Sequence, residues 1–247
     1  MQLTTFSNRR KEDLNFSRIH LSKISSVFVL SLLNLFLFSQ SLLGQEAGII
    51  SDSDPKQLIF VIQEPNQTTA RIHFYELSDG DWVENLSSFL VSVGQTGMIS
   101  SSLKREGDGK TPTGDYPVLR VFGYDENLIS GFSYHRITKD DYWVDDVESK
   151  YYNLHIKKKP KTKQVHPLLR GDGFYRLMVV IEHNTASPEK GRGSMIFIHP
   201  WEELTKSTFG CIGMPYEKLK EMVLWLRYEK NPRIFISEGI SEKSISP

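Results

Sequence analysis

The sequence predicts a mainly β protein with one amphipathic helix near its C-terminus. Short runs rich in β-branched and aromatic residues, such as Leu58–Gln63 and Tyr175–His183, recur along the chain between glycine, proline and asparagine. A clear helical spacing of apolar residues occurs once, at offsets of 0, 3, 4 and 7 from Leu219. Many strands followed by a single late helix indicate a β-rich fold.

Composition narrows the possible functions. The chain has 247 residues, which fits one ordinary domain plus a targeting segment. Its formal net charge is zero, which gives no support to a nucleic-acid partner. The single cysteine excludes an intrachain disulfide and any cysteine-rich zinc site, so the fold depends on packing alone.

Residues 1–44 resemble a targeting segment. Basic residues precede an apolar run of 15 residues, Ile24–Phe38, which has the length of a signal-peptide core and is short for a bilayer span. We expect cleavage after Gly44, and the alternative is an uncleaved N-terminal anchor. Either arrangement places the folded part in the periplasm or cell envelope. Without this segment the chain has 25 basic and 28 acidic residues.

The rest of the chain divides into a linker (45–57), a catalytic domain (58–237) and a polar tail (238–247). Three apolar runs open the domain and predict a β-meander over Leu58–Gln63, Arg71–Leu77 and Trp82–Val93. The next segment, Gly94–Tyr116, contains five glycines in 23 residues and predicts a long ordered loop. Its glycines lack the spacing of a phosphate-binding loop.

An acidic cluster, Asp140–Glu148, lies in the middle of the domain. Its spacing does not match a calcium-binding loop. We interpret it as a solvated loop whose charge is partly neutralised by the basic run Lys157–Lys163. We expect no metal and no cofactor.

The later elements are two strands, a helix and a closing strand. We expect strands at Tyr175–His183 and Met195–His199, and Pro215 in the first helical position. Asn231-Pro232 would stop the helix, and Arg233–Ser237 has the composition of a closing strand.

Cys211 and His199 are the candidate catalytic pair. A thiol beside an imidazole is the minimum for nucleophilic catalysis by cysteine. Gly210 and Gly213 flank the cysteine and indicate tight backbone geometry, in which N–H groups can face an oxyanion. A helix starting near Pro215 would lower the thiol pKa. The alternative interpretation is that Cys211 is a small buried apolar residue.

His183 ends the strand before His199. If the two strands are neighbours, we expect both imidazoles at one sheet edge beside Cys211. Zinc bound by His183, His199 and Cys211 is the alternative use of the same residues. The remaining histidines have no comparable sequence context.

Two segments resemble the L,D-transpeptidase catalytic domain family (YkuD-type). Thr208-Phe209-Gly210-Cys211 following His199 is similar to the family's active-site signature. Glu106–Tyr116, which contains Gly-Lys-Thr-Pro-Thr-Gly, is similar to its early glycine-rich loop. Trp143–Asp146 and Tyr151–Asn153 resemble one branch of the family.

The resemblance implies an L,D-transpeptidase-type β-sandwich and two-step acyl transfer on peptidoglycan stem peptides. Cys211 would be the nucleophile and His199 the base, with the Pro200 carbonyl orienting the imidazole. Backbone groups at Gly210 and Cys211 would hold the oxyanion, and His183 would line the donor pocket. The acyl acceptor would be another stem, a lysine of an envelope protein, or water.

The sequence departs from the family pattern beside the nucleophile. Thr208 fits the signature, but Phe209 stands where the family usually has histidine. Gly213 stands where it often has arginine or asparagine. These substrate-binding positions leave two further functions open. One is a cysteine hydrolase such as an L,D-carboxypeptidase, and the other is a cell-wall binding module without catalysis.

Overall fold

A computed structural model describes residues 54–239 except 65, 66, 127, 129 and 205. The predicted signal peptide or anchor, most of the linker and nearly all of the tail lie outside the described residues. No helix in the described part of the chain is long and apolar enough to cross a bilayer. The domain boundaries therefore stay predictions.

The structure is mainly β, as the sequence predicts. It contains fourteen strands, one α-helix and one short 3₁₀ helix in the described residues. In chain order they are β1 (Gln57–Gln63), β2 (Thr69–Ser78), β3 (Asp81–Ser92), β4 (Met98–Ser100), β5 (Thr111–Pro117), β6 (Val121–Gly123), β7 (Tyr134–Arg136), β8 (Asp141–Val144), β9 (His155–Lys157), β10 (Val165–Pro167), β11 (Leu177–Val180), β12 (Phe197–Pro200), β13 (Ile212–Met214), α1 (Tyr216–Trp225), the 3₁₀ helix (Tyr228–Lys230) and β14 (Arg233–Ser237).

Eleven strands form one continuous sheet in the order β4-β5-β14-β1-β2-β3-β13-β12-β11-β6-β7. The predicted meander β1–β2–β3 is confirmed, with antiparallel pairing throughout. The closing strand β14 returns beside β1 in parallel, and the rings of Phe60 and Phe235 stack there with centroids 5.2 Å apart. The remaining three strands form a small sheet in the order β10-β8-β9.

The centre of the main sheet is buried on both faces. Along β11, Leu177 and Val179 enter one apolar core, while Met178 and Val180 enter a second core on the opposite face. This alternation follows from the two-residue period of a strand. The second core also contains Trp143 of the small sheet, so the small sheet covers the face on which that core lies.

Helix α1 packs on the first core. Leu219, Met222 and Val223 are buried, as the helical spacing predicts. Pro215 caps the helix with extended backbone and is not its first helical residue. The helix ends at Trp225, before Asn231-Pro232, because Leu226 already adopts extended backbone with ψ of 139°.

Two regions that the sequence predicts to be loops contain strands or buried acidic side chains. The Gly94–Tyr116 segment includes β4 and most of β5, although glycine turns join them. The acidic cluster is not a solvated loop, because Asp141 is fully buried and Asp146 is 6% exposed. The ammonium group of Lys157 donates to Asp141 and the backbone N–H of Lys163 donates to Asp146, so the expected pairing of the acidic cluster with the basic run is confirmed. These hydrogen bonds, with that from Thr138, compensate the burial of the two carboxylates, which the sequence analysis did not predict.

We predict that Leu219→Ala lowers the free energy of unfolding by about 2–5 kcal/mol, because the side chain is fully buried in the first core. Leu224→Ala is the matched control on the exposed face of α1 and is expected to change it by less than about 0.5 kcal/mol. Urea denaturation followed by circular dichroism measures both. Equal losses in the two variants would contradict the packing of α1.

Candidate active site

Cys211 and His199 lie on the same face of the main sheet. Strands β12 and β13 run parallel, and His199 pairs with Gly213. Since side chains alternate along a strand, Cys211 and Gly213 share a face. If strand geometry continues to Cys211, about 8 Å separates its Cα from that of His199, because strands lie ~4.8 Å apart and two residues advance ~6.6 Å. Side chains directed to one face can meet across that distance.

The His199 imidazole is buried and has a defined tautomer. Its Nδ1 lies 2.9 Å from the Pro200 carbonyl oxygen, which only accepts hydrogen bonds, so Nδ1 carries the proton. Burial lowers the pKa of His199, against the opposing effect of that hydrogen bond. The neutral ring therefore keeps an unprotonated Nε2, as a general base requires.

The Cys211 thiol is neutral in this environment. Burial raises its pKa to about 11, although the Phe197 backbone and the charge of Lys104 act in the opposite direction. Sγ donates to the Met195 carbonyl oxygen at 3.2 Å rather than to His199. The expected lowering of the thiol pKa by helix α1 is wrong. Strand β13 separates the cysteine from the helix, and a helix terminus acts within about one turn.

The backbone before Cys211 is held in a tight turn. Gly210 has φ of +127°, and a Cβ on it would lie 2.8 Å from the Lys110 carbonyl oxygen. Thr208 is buried, and its hydroxyl donates to the Cys211 carbonyl at 2.6 Å while accepting from the Gly210 N–H at 3.2 Å. Within the described residues the Cys211 N–H has no acceptor, so it is the available oxyanion donor, whereas the Gly210 N–H is engaged.

The glycine-rich loop packs directly behind this turn. Lys110 belongs to that loop, so the close approach at Gly210 joins the two sequence segments that resemble the family. Lys104, in the same loop, is 3% exposed and pairs with Asp108. Sequence reasoning missed Lys104, since nothing in the local pattern distinguishes it from a surface lysine.

Both catalytic candidates open onto a cleft of about 400 Å³. Aromatic and charged side chains form its walls. The lining residues are Lys104, Glu106, Gly107, Asp145, His166, Arg170, Phe174, Tyr175, Ser194, Met195, Ile196, His199, Trp201, Thr208, Phe209 and Cys211. A second cleft of about 450 Å³ shares Phe174 and Trp201 with it and contains Pro200, but neither His199 nor Cys211 lines it.

Trp201 occupies the space above Gly213. A Cβ on Gly213 would lie 2.6 Å from the Trp201 Cβ, so no side chain fits there in this packing. The indole contacts His199 edge to face with centroids 5.7 Å apart, and it packs against Phe174 at 5.4 Å. Gly213 therefore contributes no binding group. The rings of Trp201 and Phe174 form an aromatic wall at this position instead.

Phe209 projects from the nucleophile turn into solvent. It is 79% exposed, the largest exposed fraction among the described large apolar side chains, and it borders the cleft. Phe209 therefore places an exposed aromatic ring at the border of the cleft, beside the nucleophile turn.

His183 does not line the cleft. Strands β11 and β12 are neighbours, but they run antiparallel, so their C-terminal ends lie at opposite edges of the pair. The His183 Nε2 donates to the Arg192 carbonyl at 2.8 Å and thereby holds the loop before β12. The expectation of two imidazoles at one edge is wrong. The same geometry gives no support to a zinc site that uses His183 and Cys211.

Asn153 is a positioning residue that the sequence analysis did not single out. Its Oδ1 accepts from the Trp143 indole at 3.0 Å and from the Met195 N–H at 3.1 Å. Its Nδ2 donates to the carbonyls of His183 and Asn184. Asn153 thus connects Trp143 of the small sheet to Met195, whose carbonyl oxygen accepts the hydrogen bond from the Cys211 thiol.

The family model for the L,D-transpeptidase catalytic domain (YkuD) matches residues 59–235. The chain belongs to the L,D-transpeptidase catalytic domain family. The matched residues include both Cys211 and His199. The resemblance seen in the sequence is confirmed.

The other comparisons add little. No curated protein matches the chain by sequence. A solved structure, the helical cell shape determining protein Pgp2 from Campylobacter jejuni, is 17% identical, with a TM-score of 0.39. The match covers 78% of this chain and 53% of Pgp2, so the chain spans about half the length of that protein.

We predict that Gly213→Ala destabilises the protein by about 1–3 kcal/mol, because the added methyl group overlaps the Trp201 side chain. Gly171→Ala is the matched control, since a Cβ there meets nothing within 4 Å. Urea denaturation, with tryptophan fluorescence as the readout, compares the two. Unchanged stability in Gly213→Ala would show that Trp201 does not occupy this position.

Proposed function

We propose that the protein is a cysteine-dependent L,D-transpeptidase that acts on peptidoglycan stem peptides, with Cys211 as nucleophile and His199 as base. One observation carries the proposal. A thiol and a neutral imidazole, with Nδ1 bonded to the Pro200 carbonyl, share one face of the paired strands β12 and β13 and open onto one cleft. Family membership supplies the substrate class.

The first step transfers the acyl group to the enzyme. The thiol turns from the Met195 carbonyl toward His199, and Nε2 removes its proton as the sulfur attacks the L,D peptide carbonyl carbon. The Cys211 N–H stabilises the resulting oxyanion. The carbon–nitrogen bond then breaks, the departing D-alanine amine takes the proton from His199, and a thioester remains on Cys211.

Proton transfer accompanies the attack in this scheme. The raised thiol pKa and the lowered imidazole pKa disfavour a resting thiolate–imidazolium pair. The site therefore differs from cysteine enzymes whose thiol is already ionised. The absence of a resting thiolate also protects the thiol from oxidation, because oxidation requires thiolate character.

The second step passes the acyl group to an acceptor. His199 removes a proton from the attacking amine or water, the new bond forms at the thioester carbon, and the thiolate leaves and recovers the proton. Phe209 and the Trp201–Phe174 wall border the site where family members often have polar groups. We propose that this aromatic rim contacts the substrate and influences the choice among a second stem, an envelope-protein lysine and water.

We also propose that the protein acts in the periplasm or cell envelope, either after signal-peptide cleavage or anchored by its N-terminal segment. The basic leader and the apolar run of residues 24–38 support export. Fusing residues 1–44 to alkaline phosphatase, which folds only outside the cytoplasm, tests this point. A lack of phosphatase activity would oppose export.

We predict that Cys211→Ala abolishes product formation from disaccharide tetrapeptides, because no other described side chain can form the thioester. The measurement is mass spectrometry of muropeptides after incubation with purified wild-type protein or with the variant. New cross-links indicate transpeptidation, whereas trimmed stems alone indicate an L,D-carboxypeptidase.

Cys211→Ala must keep the wild-type unfolding midpoint for this comparison to hold. Equal products from both proteins would exclude the cysteine mechanism. If neither protein gives products, while both bind muropeptides with equal affinity, the chain is a cell-wall binding module.

We predict that kcat/KM stays constant through neutral pH and falls only below pH 6.5, the ordinary pKa of histidine. Burial lowers the pKa of His199, so its neutral, basic form persists to more acidic solution. Initial rates between pH 5 and 8, with circular dichroism at each pH to exclude unfolding, measure the profile. A half-maximal rate above pH 7 would contradict His199 as a neutral base.

A further inference from the structure

A second cluster of chemically competent side chains lies at the junction of the two sheets. His135 of β7, Asp141 of β8 and His155 of β9 place one ligand atom each within 4.8 Å of one another. It is the one group of three or more His, Cys, Asp or Glu side chains in the described residues with this arrangement. The residues are separated in sequence, and the sequence analysis assigned no role to either histidine.

The two imidazoles converge on a single carboxylate oxygen. The Nε2 atoms of His135 and His155 lie 2.8 and 2.7 Å from Asp141 Oδ1. The other oxygen, Oδ2, accepts from both the backbone N–H and the hydroxyl of Thr138, each at 2.7 Å. Thr138 therefore orients the carboxylate from behind, in the way that outer hydrogen bonds orient metal ligands.

The distances are close to those around a tetrahedral zinc ion. With zinc–ligand bonds of about 2.0–2.1 Å, neighbouring ligand atoms lie about 3.3 Å apart. The observed separations from Oδ1 are about 0.5 Å shorter, and all three ligand atoms lie within 4.8 Å of one another, so small rotations of the two partly exposed imidazoles make room for an ion. The His135 side chain is 37% exposed, which provides an entry path and a position for water as fourth ligand.

Both Nε2 atoms lie against a carboxylate oxygen, which only accepts hydrogen bonds, so each carries its proton when no ion is bound. Metal binding requires an unprotonated Nε2, and the imidazole proton then lies on Nδ1. Phe122 packs against both imidazoles and limits their orientations.

Lys157 is the competitor for this position. Its ammonium group lies 2.8 Å from Asp141 and supplies the positive charge that neutralises the buried carboxylate. The Lys157 side chain is 50% exposed, so it can withdraw into solvent when an ion arrives.

We propose that His135, Asp141 and His155 bind one zinc ion in exchange for the ammonium group of Lys157. The ion joins β7, the edge strand of the main sheet, to β8 and β9 of the small sheet. Asp145 and His166, which pair at 2.8 Å and line the catalytic cleft, belong to the same small-sheet region. Zinc therefore stabilises the wall of the cleft. The proposal does not depend on the reaction at Cys211.

The test is equilibrium dialysis of the untagged protein against zinc chloride, with bound metal measured by mass spectrometry. Wild type is expected to bind one zinc per chain. His135→Ala and His155→Ala each weaken binding by more than about ten-fold, since each removes a direct ligand. Lys157→Ala keeps all three ligands and removes the competing charge, so it is expected to bind zinc more tightly than wild type.

Two variants serve as controls. His166→Ala removes a histidine of the same region that lies outside the cluster, and Cys211→Ala removes the thiol, so both are expected to retain one zinc. Absence of stoichiometric zinc from wild type overturns the proposal, as does retention in both cluster variants, loss in Cys211→Ala, or weaker binding in Lys157→Ala. Circular dichroism confirms that each variant is folded. If a cluster variant is unfolded, Lys157→Ala alone decides the outcome.

Discussion

The parallel pairing of β12 with β13 is the constraint on which the site depends. It sets His199 opposite Gly213 and brings Cys211 to the same face two residues earlier. The absence of a side chain at Gly213 lets Trp201 lie across the strand, where it contacts the imidazole. A shift of one residue in this register would turn Cys211 to the opposite face of the sheet, toward the core that contains α1.

The Cys211 thiol and the His199 imidazole are both shielded from water. Cys211 packs against the second apolar core, and His199 is 6% exposed. Loss of water disfavours the charged form of both groups, so their pKa values move in opposite directions. The site is therefore a neutral acid and a neutral base held ready for proton transfer. Its polar support comes from backbone carbonyls at Pro200 and Met195 rather than from a carboxylate.

Sequence patterns predicted the features that depend on local chemistry. The meander, the amphipathic helix and β14 follow from residue periods, and the family resemblance follows from two short segments. Sequence patterns did not predict contacts between residues that are distant in the chain. Asp141 belongs to the expected charge pairing with Lys157, but its burial was missed because its partner His155, 14 residues later, had no recognisable sequence context. His183 was misplaced because strand direction is not encoded in the composition of a strand.

The sequence by itself determined the fold class, the family and the identity of the candidate nucleophile and base, because these depend on residue type and short-range order. Tertiary structure decided which groups surround the thiol. It separated His183 from the cleft, placed Trp201 over Gly213 and left Phe209 exposed. It also brought His135, Asp141 and His155 together at the junction of the two sheets. These contacts depend on strand direction, register and burial, which arise only when distant segments pack against one another.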